Sequence, residues 1–230
     1  MPNYPTSNHL LSALTTAQFD KLMPDLELVA LEQGAALNES SPQYMHFPLN
    51  CVAGMFHTGS QGQRTPVATT GNEGAVGISL FFVGEAAFNT TEVINAGYAY
   101  RLDAETLTKK YQLDSPLQQL LFRYSQVLVI QMRHSARCRR NHSVEQQLCR
   151  WLLSSLDRLP SLELQTTQEM IANKLGMPCQ NVIETTQKLQ SMGLIYIDSD
   201  HISINDRRSI EARACRCYAE IKRESAHLSI

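Results

Sequence analysis

The sequence predicts an α+β chain in three parts: a strand-rich amino-terminal half, one long helix, and a carboxy-terminal pair of short helices followed by a hairpin. Three patterns carry this. Short β-prone runs punctuated by glycines fill residues 26–102, residues 117–141 contain neither glycine nor proline, and residues 166–195 hold a helical period broken once at a glycine.

In the amino-terminal half the β-prone runs are Leu28 to Leu31, Tyr44 to Phe47, Val52 to Phe56, Val67 to Thr70, Thr90 to Ile94 and Tyr98 to Leu102. Many short strands with turn residues between them predict a compact antiparallel barrel or roll rather than a parallel sheet with crossover helices. Ahead of them, Ser12 to Leu22 reads as one short amphipathic helix capping the roll. The amino terminus, MPNYPTSNHLL, has neither a basic region nor a long apolar one, and no apolar run approaches the roughly 20 residues that span a bilayer. A soluble, cytoplasmic protein is expected.

The long helix begins at Pro116. Leu117, Leu120, Tyr124 and Val127 recur three and four apart, with Leu121 and Leu128 beside them, as in the seam of a two-stranded coiled coil. Such a stripe needs a partner, either the roll or a second copy of the helix. Beyond Met132 the stripe turns polar and basic through His134, Arg137, Arg139 and Arg140, and His142 with Ser143 reads as a hinge.

After the hinge, Thr166 and Glu169 have capping-box spacing, and Met170, Ile171 and Leu175 repeat as one stripe. Gly176 suits a left-handed turn and Pro178 the start of a second helix. Val182, Ile183 and Leu189 would anchor that helix, leaving Gln180, Asn181, Glu184 and Gln187 for a partner. Leu194 to Ile197 and His201 to Ile204 then alternate around Asp198, Ser199 and Asp200 as a hairpin does. Helix, turn, helix and hairpin make a winged helix-turn-helix, the geometry that lays one helix in the major groove of DNA. Arg207 to His227, with Ile210, Ala214, Tyr218 and Ile221 on one face, reads as an added helix packing back on this unit.

With these motifs in family order along nearly the whole chain, the sequence resembles the cyclic-AMP receptor protein and Fnr family of bacterial transcription regulators. The resemblance implies a β-roll of the cyclic-nucleotide-binding type over residues 1–115, a dimerisation helix and hinge over 116–142, and a DNA-binding domain over 143–230. It also selects a second copy of the long helix as partner, with Leu117, Leu120, Leu121, Tyr124, Val127 and Leu128 at the dimer contact.

The resemblance places effector binding at Gly74, Val76, Gly77, Ile78, Phe88, Thr90 and Thr91. Nucleotide-binding members put a Glu where Ile78 stands and an Arg on the phosphate, but no arginine lies between Arg64 and Arg101. An anion buried without a cation is costly. Cyclic AMP is therefore not the expected effector. An apolar small molecule beside Phe81, Phe82 and Phe88, or a plain packed core, both fit.

On the recognition helix the family's Arg, Glu and second Arg correspond to Cys179, Gln180 and Glu184, so both arginines are missing. Gln180 and Asn181 can still pair two ways with adenine, which shifts the expected site toward A·T content. Lys174 and Lys188 are candidates for phosphates, and Thr167 and Gln168 add neutral contacts at a helix start. The wing tip carries two carboxylates where a cation would serve better.

Charge divides unevenly. Residues 1–114 have five bases and eleven acids, a balance of −6; 115–144 have five arginines and no acid; and 145–230 have ten bases and eleven acids, leaving −1. A DNA-binding domain that is not basic predicts weak, salt-sensitive binding.

Six cysteines follow no regular framework and read as thiols. The family's iron-sulfur branch uses cysteines near its amino terminus, where Cys51 is the only one before Cys138. Cys215 and Cys217, two apart on an expected helix, would diverge by about 200° and could not share an ion. His46 and His57 read as ordinary strand residues rather than haem ligands. Neither a metal nor a cofactor is expected, and no phosphate-binding loop or nucleophile elbow points to an enzyme.

The expected partners are double-stranded DNA at a two-fold symmetric site, a second copy of the chain, a small-molecule effector and RNA polymerase. The competing expectation is a non-catalytic sensor or interaction module that retains the scaffold but reads DNA poorly.

Overall fold

The computed structural model describes residues 7–37, 43–59, 64–83, 90–110, 115–159 and 163–226. The amino-terminal half is a roll of two three-stranded antiparallel sheets. One sheet has the order β1 (Glu27–Leu31), β6 (Gly97–Asp103), β2 (Tyr44–Pro48); the other has β4 (Arg64–Thr70), β3 (Val52–Thr58), β5 (Thr90–Asn95). All six strands fall on the predicted runs, extended by one to three residues. The helix expected over Ser12 to Leu22 is two: α1 (His9–Ser12) and α2 (Thr16–Leu22). Thr15 separates them because it is itself a cap, bonding Gln18 N while the Gln18 side chain returns to its own N–H. Two further helices, α3 (Ile78–Val83) and α4 (Ala104–Lys110), complete the roll.

Helix α5 runs from Pro116 to Asn141, started by the Ser115 side chain on Gln118 N. Its apolar stripe faces the chain's own roll. Leu117, Leu120, Leu121, Tyr124, Val127 and Leu128 are buried in one core with Met45, Phe47, Leu102 and Leu107. Tyr124 is wholly buried, its hydroxyl 2.7 Å from Thr70 Oγ1, and Gln131 Oε1 accepts from Thr69 N at 3.1 Å. These six residues, expected at a dimer contact, are covered within this chain by its own roll. Periodicity reported a buried stripe but could not say against what, and the roll covers it. The outward face of α5 instead exposes Phe122 and Val129, 59% and 57% accessible and two turns apart.

The carboxy-terminal domain comprises α6 (Val144–Leu156), β7 (Glu163–Gln165), α7 (Gln168–Leu175), α8 (Cys179–Ser191), β8 (Ile195–Ile197), β9 (His201–Ile204), α9 (Arg207–Arg213) and α10 (Cys217–Ala226). At the predicted hinge, His142 leaves the helical conformation and Ser143 caps α6 reciprocally with Gln146. The strand β7 joins the hairpin in a sheet of order β7-β9-β8, a pairing that three residues of sequence did not announce. The single added helix expected over Arg207 to His227 is broken. Ala214 is extended, with φ −66° and ψ 151°, so Cys215 lies in the break and Cys217 opens α10. His227 lies outside the described residues.

The two halves are packed together. Val52 of β3 and Ile94 of β5 belong to the same apolar cluster as Leu152, Ile171, Leu175, Val182 and Ile202. Helix α10 lies along α5, where its acids meet the basic end of that helix: Arg137 with Glu220 at 3.0 Å, Arg133 with Glu224, and His134 with both. Part of the positive charge read from residues 115–144 is therefore neutralised within the chain. No helix among the described residues is long and apolar enough to cross a membrane.

Candidate nucleic-acid interface

The reading head is α7, its turn and α8. Thr167, not Thr166, caps α7 by accepting from Met170 N at 3.2 Å; Thr166 is buried and donates its N–H to the Asp200 carbonyl, while Glu169 points outward. The capping box read from Thr166 and Glu169 is corrected accordingly, since strand pairing claims Thr166. Gly176 takes the left-handed conformation, φ 62°, and its N–H closes on Ala172 and Asn173 carbonyls. Pro178 then sits at the start of α8.

Val182, Thr186 and Leu189 form the inner face of α8, each fully buried. Thr186 bonds back to the Val182 carbonyl and receives Gln168 Nε2 at 2.8 Å, which pins the two helices at their crossing. The outer face exposes Gln180, Asn181, Glu184, Gln187 and Lys188, with Cys179 half-exposed at its start. Gln180 Nε2 donates to Glu184 Oε1 at 2.8 Å, one turn along. This face is polar, nearly uncharged in sum and rich in groups that both donate and accept.

Of the eight residues predicted to meet DNA, Cys179, Gln180, Asn181, Glu184 and Lys188 share α8. Lys188 Nζ lies 2.6 Å from Glu145 Oε2 but its side chain stays 58% exposed, so that pair can be exchanged. Thr167 and Gln168 are half-buried, their polar atoms engaged in the contacts above. Lys174 is displaced from the interface, which corrects its assignment. Its side chain is buried, with Nζ 2.7 Å from Glu92 Oε1 on β5. Arg64 holds the other carboxylate oxygen at 2.7 Å and stacks on Phe56. Burial pushes the Glu92 carboxyl up, but hydrogen bonds from Lys174 and Arg64 outweigh it and hold the group below the ordinary glutamate range.

Lys174 is one of several ties between the carboxy-terminal domain and the rest of the chain. Arg139 donates to the Gly176 carbonyl at 3.3 Å, Gln33 Nε2 bridges the Ile94 and Gln165 carbonyls at 2.7 Å each, and Asn95 Oδ1 accepts from Gln165 N. Sequence gave no local signal for these, because each partner is distant along the chain. The wing tip is acidic as read: Asp198 accepts from Ser199 N, and Asp200 meets His201 Nδ1 at 2.7 Å.

Of the predicted effector residues, Gly74, Val76, Gly77 and Ile78 form one short segment against β2, where Val76 and His46 exchange both backbone hydrogen bonds. Gly77 has φ 86° and Gly74 faces the Tyr124 ring. Thr90 and Thr91 lie on the other sheet, paired with Phe56 and Met55. Phe88 lies outside the described residues.

A cavity of about 400 Å³ opens elsewhere, between the roll, α5, α6 and α10, lined among others by Asn72, Glu73, Gln131, Arg158 and Tyr218. Arg158 reaches Glu73 there at 2.6 Å, a cation brought to the roll from a distant segment.

Two thiols are shielded in the cores: burial pushes Cys51 and Cys149 up to about 12. His46 is a core residue, held down to about 4 by burial and by Arg101. A group of metal-ligating type does occur, Cys138, His142, Cys215 and Cys217, brought together by the break before α10. The expectation that Cys215 and Cys217 diverge is corrected, since they do not share a helix.

Residues 146–213 match the family model of the Crp-like helix-turn-helix domain. Among solved structures, the chain is similar to a transcriptional regulator of the crp/fnr family from Eubacterium rectale ATCC 33656, at TM-score 0.66 and 17% identity over 90% of this chain and 98% of that one. It is similar to FixK2 from Bradyrhizobium japonicum, at TM-score 0.68 and 14% identity over 83% and 98%. It is also similar to the c-di-GMP responsive global regulator CLP from Xanthomonas campestris, at TM-score 0.65 and 11% identity over 83% and 99%. At these identities the likeness is one of fold. No curated protein sequence matches the chain.

Proposed function

We propose, for a chain whose residues 146–213 are a Crp-like helix-turn-helix domain and whose fold is that of the Crp/Fnr regulators, that it is a DNA-binding transcription regulator acting as a homodimer in the cytoplasm. The observation that carries this is the division of α8: Val182, Thr186 and Leu189 are sealed inward while Gln180, Asn181, Glu184 and Gln187 stand outward without a covering element. Laid in a major groove, Gln180 and Asn181 offer paired donors and acceptors to adenine edges. A dimer would present two such helices roughly 34 Å apart, hence a two-fold symmetric site. The exposed apolar side chains Phe122 and Val129 on α5 are where we place that dimer contact.

Control by an effector takes the form of a population shift. The ties of the carboxy-terminal domain to the roll through Glu92 and Gln33, and to α5 through Arg139, support one arrangement in which Lys174 is withheld from DNA. An effector that favours a different roll-to-head arrangement would alter phosphate contacts and the separation of the two heads. Gly74 to Ile78 and the cavity at Glu73 and Arg158 are the places for it. An exposed part of the same domain would meet RNA polymerase. No residue is given a bond-making role.

The second reading, a sensor module that has lost specific DNA binding, is favoured by the acidic wing and the sequestered Lys174. Selection of bound sequences from random duplex DNA by the intact chain, at low and at moderate salt, separates the two. Enrichment of a symmetric A·T-containing site supports the regulator, and no enrichment at either salt supports the second reading.

A further inference from the structure

Near the hinge four side chains of metal-ligating chemistry converge. Cys138 and His142 are one turn apart at the end of α5 and project from one face. Across from them the extended Ala214 breaks the chain between α9 and α10, turning Cys215 and Cys217 to the same side. Cys138, Cys215 and Cys217 form a small buried cluster of their own, separate from both large apolar cores.

The ligand atoms of the four residues all lie within 4.8 Å of one another. Cys138 Sγ is 3.4 Å from Cys215 Sγ, and Cys217 Sγ is 3.7 Å from His142 Nδ1. A tetrahedral ion with bonds of about 2.3 Å to sulfur and about 2.0 Å to nitrogen sets its ligand atoms roughly 3.5 to 3.8 Å apart. Two of the distances thus lie close to those around one ion, and the others have to close from at most 4.8 Å. Three sulfurs and one imidazole suit zinc by softness and geometry. Arg150, on α6, acts electrostatically on all three thiols, and its Nε is buried without a hydrogen-bond partner. Three thiolates around a divalent ion leave one net negative charge, and this guanidinium stands ready to balance it.

We propose that Cys138, His142, Cys215 and Cys217 bind one zinc ion per chain as a closed Cys3His site, clamping the end of α5 and the hinge to the break before α10. Four protein ligands leave no open position for substrate, so the ion is structural. Binding expels the thiol protons and leaves the metal's oxidation state unchanged. Because His142 is the residue at which α5 ends, the ion holds the joint through which the roll and the reading head communicate.

The test uses the full chain, purified under reducing conditions without chelator. Elemental analysis is expected to find about one zinc per chain, and cobalt added to the stripped protein is expected to give thiolate-to-cobalt charge-transfer bands with the visible absorption of a tetrahedral site. Cys215→Ser and His142→Ala should each lower metal retention at least about tenfold. Cys179→Ser, outside the cluster, should retain it. Should Cys215→Ser fail to fold, release of zinc from the unaltered chain by a mercurial thiol reagent, read with a zinc-sensitive dye, answers the same question. Metal-free protein lacking a cobalt–thiolate band, equal metal binding by the variants, or a Cys138–Cys215 disulfide in place of the ion would overturn the proposal.

Discussion

Replacing Gly74 with alanine examines how the roll and α5 meet. A Cβ at Gly74 would lie 1.9 Å from Tyr124 Cζ and 2.2 Å from its hydroxyl oxygen. Non-bonded carbons need about 3.5 to 4.0 Å, so the ring would have to retreat by roughly 2 Å. Tyr124 is wholly buried and its hydroxyl sits 2.7 Å from Thr70 Oγ1, so retreat strains the core by about 1 to 3 kcal/mol and loses a bond of about 1 kcal/mol. A total near 3 kcal/mol is expected as a lowered midpoint in urea denaturation at constant slope. Tyr124→Ala alone should cost about 3 to 5 kcal/mol by leaving a cavity. In the double variant the new methyl enters that cavity, so the pair should cost no more than Tyr124→Ala. Costs that add to within about 0.5 kcal/mol would refute the contact as described, and with it the placing of the α5 stripe against the roll.

Four other outcomes follow from particular residues. His46 stays neutral in the fold down to about pH 4, whereas the unfolded side chain takes up a proton below about 6.5. Stability should be full above pH 6.5 and fall by roughly 3 kcal/mol as pH drops toward 4, a decline that denaturation of His46→Gln should lack. Lys174→Met should cost about 2 kcal/mol of stability by removing one of the two cations on Glu92, yet leave the salt dependence of DNA affinity unchanged; Lys188→Gln should flatten that dependence by about one counterion. If the proposed dimer forms through the outward face of α5, Phe122→Lys with Val129→Lys should leave only monomer in sedimentation equilibrium without loss of helix signal, since both side chains are outside the core. Gln180→Ala should weaken binding to the selected site by about 1 to 3 kcal/mol in fluorescence anisotropy, and far less to random duplex.

The strands and the reading head were legible because local rules suffice for them. A β-prone run between turn residues marked β3, alternation marked β9, and Gly176 with Pro178 marked the turn, each residue acting through its own backbone preference. What failed needed partners distant in sequence. The stripe from Leu117 to Leu128 was read correctly as buried, but covering by a roll and covering by a second helix leave the same period. Lys174 reads as a helix-surface cation until Glu92, 82 residues away, is placed beside it. The cysteine pair was lost for a smaller reason: Ala214 has high helix propensity, and nothing local announced that it would be extended. Cys138 and His142 at a spacing of four were the available signal for that site.

DNA recognition by this chain requires that α8 read bases. Random-duplex selection run side by side with the unaltered chain and the Gln180→Ala/Asn181→Ala variant, at one fixed salt concentration, measures this. The expected result is a two-fold symmetric A·T-containing site for the unaltered chain and loss of preference at the adenine positions for the variant. Identical enriched sequences from both proteins would contradict it.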